Sequence, residues 1–171
     1  ALVLSLQGGL DEHLASTSKL SGYVEKLFHE KNQTLKLETL HFFRACYTYH
    51  GVETILENGQ RFLPFLIRSV KDEWYKIIAE GLRVLETFVI HARPVDATTH
   101  ALDAASPAFT TMIPTIYACV MTRLAAADID LEIKECGISC SGSLLTHAGD
   151  LLADHVSEIL TLFQKRLENE T

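Results

Sequence analysis

Arg123-Leu124-Ala125-Ala126-Ala127-Asp128-Ile129-Asp130-Leu131-Glu132-Ile133-Lys134 reads as the end of one helix, a tight acidic turn and the start of the next. Leucine and alanine up to Ala127 are strong helix formers. Asp128 and Asp130 offer carboxylates to the free N–H groups of a new helix, and Glu132 adds charge of the sign that a helix N-terminus favours. The stretch is therefore a helical hairpin, and its joint recurs. Asp130 stands four residues before Lys134, Asp72 four before Lys76 and Asn32 four before Lys36. Three copies of one joint predict a repeat protein.

Outward from this joint, an outer helix precedes it from Pro107 or Ala108 to Ala127, kinked at Pro114, and an inner helix follows from Asp130 to His147. Gly149 stands fifteen residues after Lys134, as Gly51 does after Lys36 and His91 after Lys76. A last outer helix, Ala153 to Glu168, has Val156, Ile159, Leu160, Phe163 and Leu167 to bury. In the second repeat the outer helix is placed from Asn58 to Lys71, because proline is tolerated in an early turn and Pro64 must then lie near the start. Phe62, Phe65, Leu66 and Val70 form its inward face. Asp72-Glu73 opens the inner helix from Trp74 to Ala92, with Ile77, Ile78, Leu82, Leu85, Phe88 and Val89 buried.

Lys36 to Lys76 is 40 residues and Lys76 to Lys134 is 58. The surplus falls in Arg93 to Pro107, rich in Ala, Thr, Asp and Pro, which reads as an exposed connecting loop. The first repeat has an outer helix from about Leu10 to Lys31 and an inner helix from Thr34 to Tyr49. That inner helix carries two apolar stripes, Leu35, Phe42, Cys46, Tyr49 and Leu37, Leu40, Phe43, Tyr47, so it must be covered on two sides. Residues 1–7 read as the last turns of a helix stopped by Gly8-Gly9. The expected fold is all-α, a single HEAT-repeat α-solenoid over residues 1–171, with repeats at about 10–50, 52–92 and 107–148, a loop at 93–107 and partial repeats at 1–9 and 150–171.

A net charge of −7, with no run among the 15 Lys and Arg, argues against a nucleic-acid partner. The apolar opening Ala1 to Leu6 falls far short of the roughly 20 residues that cross a bilayer, and no basic region precedes it, so neither signal peptide nor membrane span is expected. Cys46, Cys119, Cys136 and Cys140 lack CxxC spacing and sit in apolar periodic stretches, as buried free thiols do in a reducing compartment.

Candidate chemistry is sparse. Cys136, Cys140 and His147 share a helix face and are metal-ligand types, but a fourth ligand is not evident, and Gly137, Ser141 and Gly142 beside them point to close helix packing. His50, His91 and His147 fall at inner-helix C-termini, where a partial positive charge suits the dipole. No phosphate loop, nucleophile elbow or carboxylate pair appears, so neither enzyme activity nor a cofactor is expected. Candidate partner contacts are Trp74, Tyr75, Lys36, Lys76 and Lys134. Trp74 serves either as a hot-spot anchor or, the favoured reading, as a plug between turns. The lysines form a ladder, each expected to pair with an acidic residue of a neighbouring turn such as Asp72, Asp128 or Asp130, and otherwise to meet an acidic partner surface.

Arg123-Leu124-x-Ala126-Ala127-Asp128-Ile129-Asp130-x-Glu132-Ile133-Lys134-Glu135-x-x-Ile138-Ser139-Cys140 resembles the middle of the cullin-associated, neddylation-dissociated family. Tyr75-Lys76-Ile77 with Glu80 and Leu82, Arg93-Pro94-x-Asp96, and Phe163-x-x-Arg166-Leu167-x-Asn169-Glu170 are similar to that family in the same order, and the insertion before the third repeat falls where the family has one. The resemblance implies a central piece of a long HEAT solenoid that wraps unneddylated cullins with their RING subunit and promotes exchange of substrate receptors on cullin–RING ubiquitin ligases, in cytoplasm and nucleus. Two other scaffold roles compete. An importin-like nuclear transport receptor predicts acidic residues gathered on the inner helices, where Glu38, Glu80, Glu86, Glu132 and Glu135 are few and scattered. A tubulin-binding array needs a basic rim, against the net charge.

Overall fold

In the computed structural model, residues 31–126 and 130–168 are described, together with His13, Gly22, Tyr23, Lys26 and Leu27. The expected partial repeat at 1–9, nearly all of the helix at 10–31, the turn residues Ala127, Asp128 and Ile129, and residues 169–171 lie outside them. Six α-helices follow in order among the described residues: α1 Gln33–Tyr49, α2 Val52–Val70, α3 Tyr75–Ala92, α4 Pro107–Ala125, α5 Leu131–Ala148 and α6 Val156–Glu168. They form two layers. The inner helices α1, α3 and α5 pack side by side, and the outer helices α2 and α4 lie over them and against each other, with α6 against α4 and α5.

The N-caps follow the sequence pattern. Asn32 accepts the Leu35 N–H at 3.1 Å, Ser106 the Phe109 N–H at 3.2 Å and Asp130 the Glu132 N–H at 2.9 Å. The second joint is built differently. Trp74 is the N-cap of α3, and Asp72, two residues earlier, accepts its N–H at 3.0 Å.

One expectation is corrected and another is extended. The helix placed from Asn58 starts at Val52, capped by Gly51 in an extended conformation, so Pro64 lies deep inside it. Pro64 and Gln60, whose carbonyl loses its donor, are both exposed, which leaves that oxygen to water. Burial of Ile55, Asn58 and Gly59 holds the first turns in place. The stretch after α3 is also more than an exposed loop. Val95 and Leu102 bridge antiparallel across a turn in which the Asp96 carboxylate accepts the N–H groups of Thr98 and Thr99 at 2.9 and 2.6 Å, and His100 takes a positive φ of 55°. Arg93, at its root, is buried.

α3 is the helix about which the others pack, touching α1, α2, α4 and α5. Ile77, Ile78, Leu82, Leu85, Phe88 and Val89 are all buried, as their spacing requires. A row of rings crosses the repeats: Phe43 meets Phe62 at 4.9 Å, Tyr47 meets Phe88 at 5.5 Å, and Phe88 meets Phe109 at 6.3 Å. Each such side chain contributes about 1.5–3 kcal/mol by leaving water, and they are many, so apolar packing holds the stack. Of the two stripes on α1, Leu40, Phe43, Cys46 and Tyr47 are buried, whereas Leu37, Phe42 and Tyr49 are half-buried and Leu35 is exposed. A Cβ at Gly137 of α5 would press on Leu124 of α4, the close packing that the small residues of that helix suggested, but one at Gly142 would meet open space.

Candidate partner-contact surface

The five candidate contacts lie where the inner helices begin. The Lys36 ammonium on α1 reaches the Asp72 carboxylate at 2.9 Å, bridging one inner helix to the start of the next. Burial by itself would raise the Asp72 carboxyl, but the Trp74 N–H and Lys36 outweigh it and hold it below the usual range. Lys76 Nζ lies 5.6 Å from the centre of the Trp74 ring and 5.9 Å from that of Tyr75, a cation held over two aromatic faces and not by a carboxylate. Asp130 is occupied as the α5 cap, Lys134 is half-buried in the first turn of that helix, and Asp128 is among the undescribed residues. Trp74 is half-buried and packed against the core, in the position of a plug, while Tyr75 is exposed.

Further along the inner helices runs a charge network that the sequence did not disclose. Glu80 of α3, its side chain only 4% exposed, faces Arg44 of α1 at 3.1 Å and Arg83 at 3.4 Å. Arg83 turns its other nitrogen to Glu132 of α5 at 2.7 Å. Glu86 accepts the hydroxyls of Ser139 and Ser143 at 2.6 and 3.0 Å. These are three of the five glutamates that an importin-like grip on basic cargo would use, and each is engaged by side chains of this chain. A signal was present: Arg44 and Glu80 are separated by the same 36 residues as Lys36 and Asp72.

Arg93 makes a second unforeseen contact. Its guanidinium donates to the Asp103 and His147 carbonyls at 2.8 and 3.2 Å and to both carboxylate oxygens of Asp150. In return His147 Nδ1 sits 2.8 Å from the Arg93 carbonyl, an acceptor only, so that nitrogen carries the proton. His147 thus spends a ring nitrogen on the backbone, and His91 is held below its ordinary value, by burial first and then by His147. The partial positive charge foreseen for His91 at its helix end is therefore disfavoured.

The four cysteines are free and buried. Burial pushes the Cys46 thiol up to about 12 and the Cys119 thiol up to about 11, and raises Cys136 and Cys140 as well, so none is poised as a thiolate. Among the described residues no group of three or more His, Cys, Asp or Glu is arranged to hold a metal, and no helix is long and apolar enough to cross a membrane.

Two helical layers, stacked repeat on repeat, describe a helical solenoid, and comparison with known families agrees. Residues 8–141 match the family model described as CAND1-like, TPR repeats. The chain belongs to this family. Over 99% of its length it is 30% identical to cullin-associated NEDD8-dissociated protein 1 of Drosophila melanogaster and 29% identical to that of Arabidopsis thaliana. It is 32% identical over 96% of its length to cullin-associated NEDD8-dissociated protein 2 of Mus musculus. The chain spans 13% of the length of each. In this CAND-family segment, Arg166 of the closing sequence motif caps α4: Nε donates to the Leu124 carbonyl at 2.7 Å and another nitrogen to that of Ala126, giving that arginine a structural reason.

Proposed function

We propose that this segment is part of a non-enzymatic scaffold that holds a cullin together with its RING subunit and regulates cullin–RING ubiquitin ligases by promoting exchange of their substrate receptors. The observation that carries the proposal is the match of nearly the whole chain to proteins named as cullin-associated and NEDD8-dissociated. The architecture suits the role. Inner helices that stack in parallel offer many modest contacts along one face and need no catalytic group. A nuclear transport role has less support, since Glu80, Glu86 and Glu132 are taken up by Arg44, Arg83, Ser139 and Ser143. The same reading places the protein in cytoplasm and nucleus, with neither nucleic acid nor membrane as a partner.

The test is capture of the longer protein containing this segment by an unneddylated cullin–RING complex and by the same complex neddylated. Binding to the unmodified form alone is the expected result. Failure to bind either form overturns the proposal and makes a basic transport cargo the next ligand to test.

A further inference from the structure

The edge at which the inner helices begin displays apolar surface in a regular series. Leu35 in the first turn of α1 is 40% exposed, Tyr75 in the first turn of α3 38%, and Leu131 in the first turn of α5 59%. α1 and α5 flank α3 in one layer, and contacts that advance together along each pair, Lys36–Asp72 then Arg44–Glu80 and Arg83–Glu132 then Glu86–Ser139, show that the three run in the same direction. The three side chains therefore line one edge, a repeat apart. Half of the large hydrophobic side chains that stand exposed among the described residues belong to it.

Among the described residues of this edge, several acidic groups are engaged while Lys76 rests on aromatic rings. Asp72 is taken by Lys36 and the Trp74 N–H, Asp130 by the Glu132 N–H, and Glu132 by Arg83. Glu73 is exposed on the turn. The Lys76 ammonium rests over the faces of Trp74 and Tyr75, which orient it while leaving its three N–H donors available. Trp74, packed against the core, makes that platform rigid.

We propose that this edge is a docking strip for an extended or helical segment of the cullin partner in which apolar side chains alternate with acidic ones, the apolar groups covering Leu35, Tyr75 and Leu131 and a carboxylate meeting Lys76. The inference rests on the cullin-scaffold reading and adds the place and chemistry of the contact. Tryptophan and tyrosine are enriched among binding hot spots, and a cation positioned over them adds charge complementarity to an acidic segment.

The test uses the full-length protein and an unneddylated cullin–RING complex. Lys76→Glu and the pair Tyr75→Ala with Leu131→Ser are expected to weaken binding about tenfold or more each, while Glu73→Gln leaves it unchanged or tightens it. All four positions are exposed, and a circular-dichroism melt matching the parent protein confirms that folding is intact. In parallel, a photo-crosslinking p-benzoylphenylalanine in place of Tyr75 is expected to join a partner segment containing both acidic and large apolar residues. If the parent protein binds and the Lys76 and Tyr75/Leu131 variants bind equally well, or the crosslink falls on a basic segment or a second copy of this chain, the docking strip is wrong and the scaffold reading survives. If the parent protein does not bind at all, both fall.

Discussion

Arg93 and Asp150, 57 residues apart, are joined by two parallel hydrogen bonds of 2.6 and 2.9 Å. The arginine side chain is only 7% exposed, so the fork fixes the segment between α3 and α4 onto the end of α5. Lysine keeps the charge but not the fork and cannot reach Asp103, His147 and both oxygens of Asp150 together. Arg93→Lys should therefore lower the opening free energy of residues 93–106 by about 2 kcal/mol, read as faster amide hydrogen exchange there and at the end of α5. Unchanged protection would show that the packing of the flanking helices suffices.

The His91 shift predicts a direction with pH. Its folded value lies below the ordinary 6.5 because burial, and then His147, disfavour the charged form. On acidification the unfolded chain takes up that proton first, so the contribution of His91 is whole above 6.5 and is lost as pH falls below 6.5 through the depressed folded value. Protection of α3 and α5, corrected for intrinsic exchange, should drop across that window in the parent protein and drop less in His91→Gln. Equal losses in both would assign the effect to another group.

Gly59 of α2 is a contact point and not a flexible one. A Cβ there would lie 2.2 Å from the Phe88 ring edge of α3. Gly59→Ala should destabilise this repeat by about 1–3 kcal/mol through overpacking, despite the better helix propensity of alanine. Phe88→Leu in the same chain should recover part of the loss. A double-mutant cycle in denaturant measures the coupling, and additive effects would mean that the two helices shift apart at no cost.

Arg166 holds the carbonyls that end α4, at Leu124 and Ala126. Arg166→Ala should cost about 1–2 kcal/mol, and the loss should appear in the last turn of α4 and not in α2. Peptide-resolved hydrogen exchange distinguishes the two. A uniform loss would indicate that α6 as a whole has come away.

What the sequence disclosed was set by distance along the chain. Asn32 and Asp130 cap helices through N–H groups two or three residues on, and such local pairs are visible as spacing. The inward faces of α2 and α3 were legible because burial imposes a period of 3.6 residues. The start of α2 was hidden by applying a local rule to Pro64, when the tertiary burial of Ile55 and Gly59 decides the matter. Arg93 gave no warning, since its partners lie 10, 54 and 57 residues away and belong to no period. Among the candidate contacts, the lysines were found by their spacing, but Lys76 was assigned a carboxylate where the structure supplies two rings. Both the local geometry of Trp74 as N-cap and the early position of Asp72 lie behind that difference.

The pairing of Arg44 and Arg83 with Glu80 and Glu132 also bears on how a partner arrives. Opposite charges a few ångströms apart act at longer range only as weak dipoles, so this network adds little to the field that the chain's net −7 projects. Replacing these pairs by neutral residues should therefore change the salt dependence of a partner's encounter rate little, and their part in discrimination among partners should reside in how long each stays.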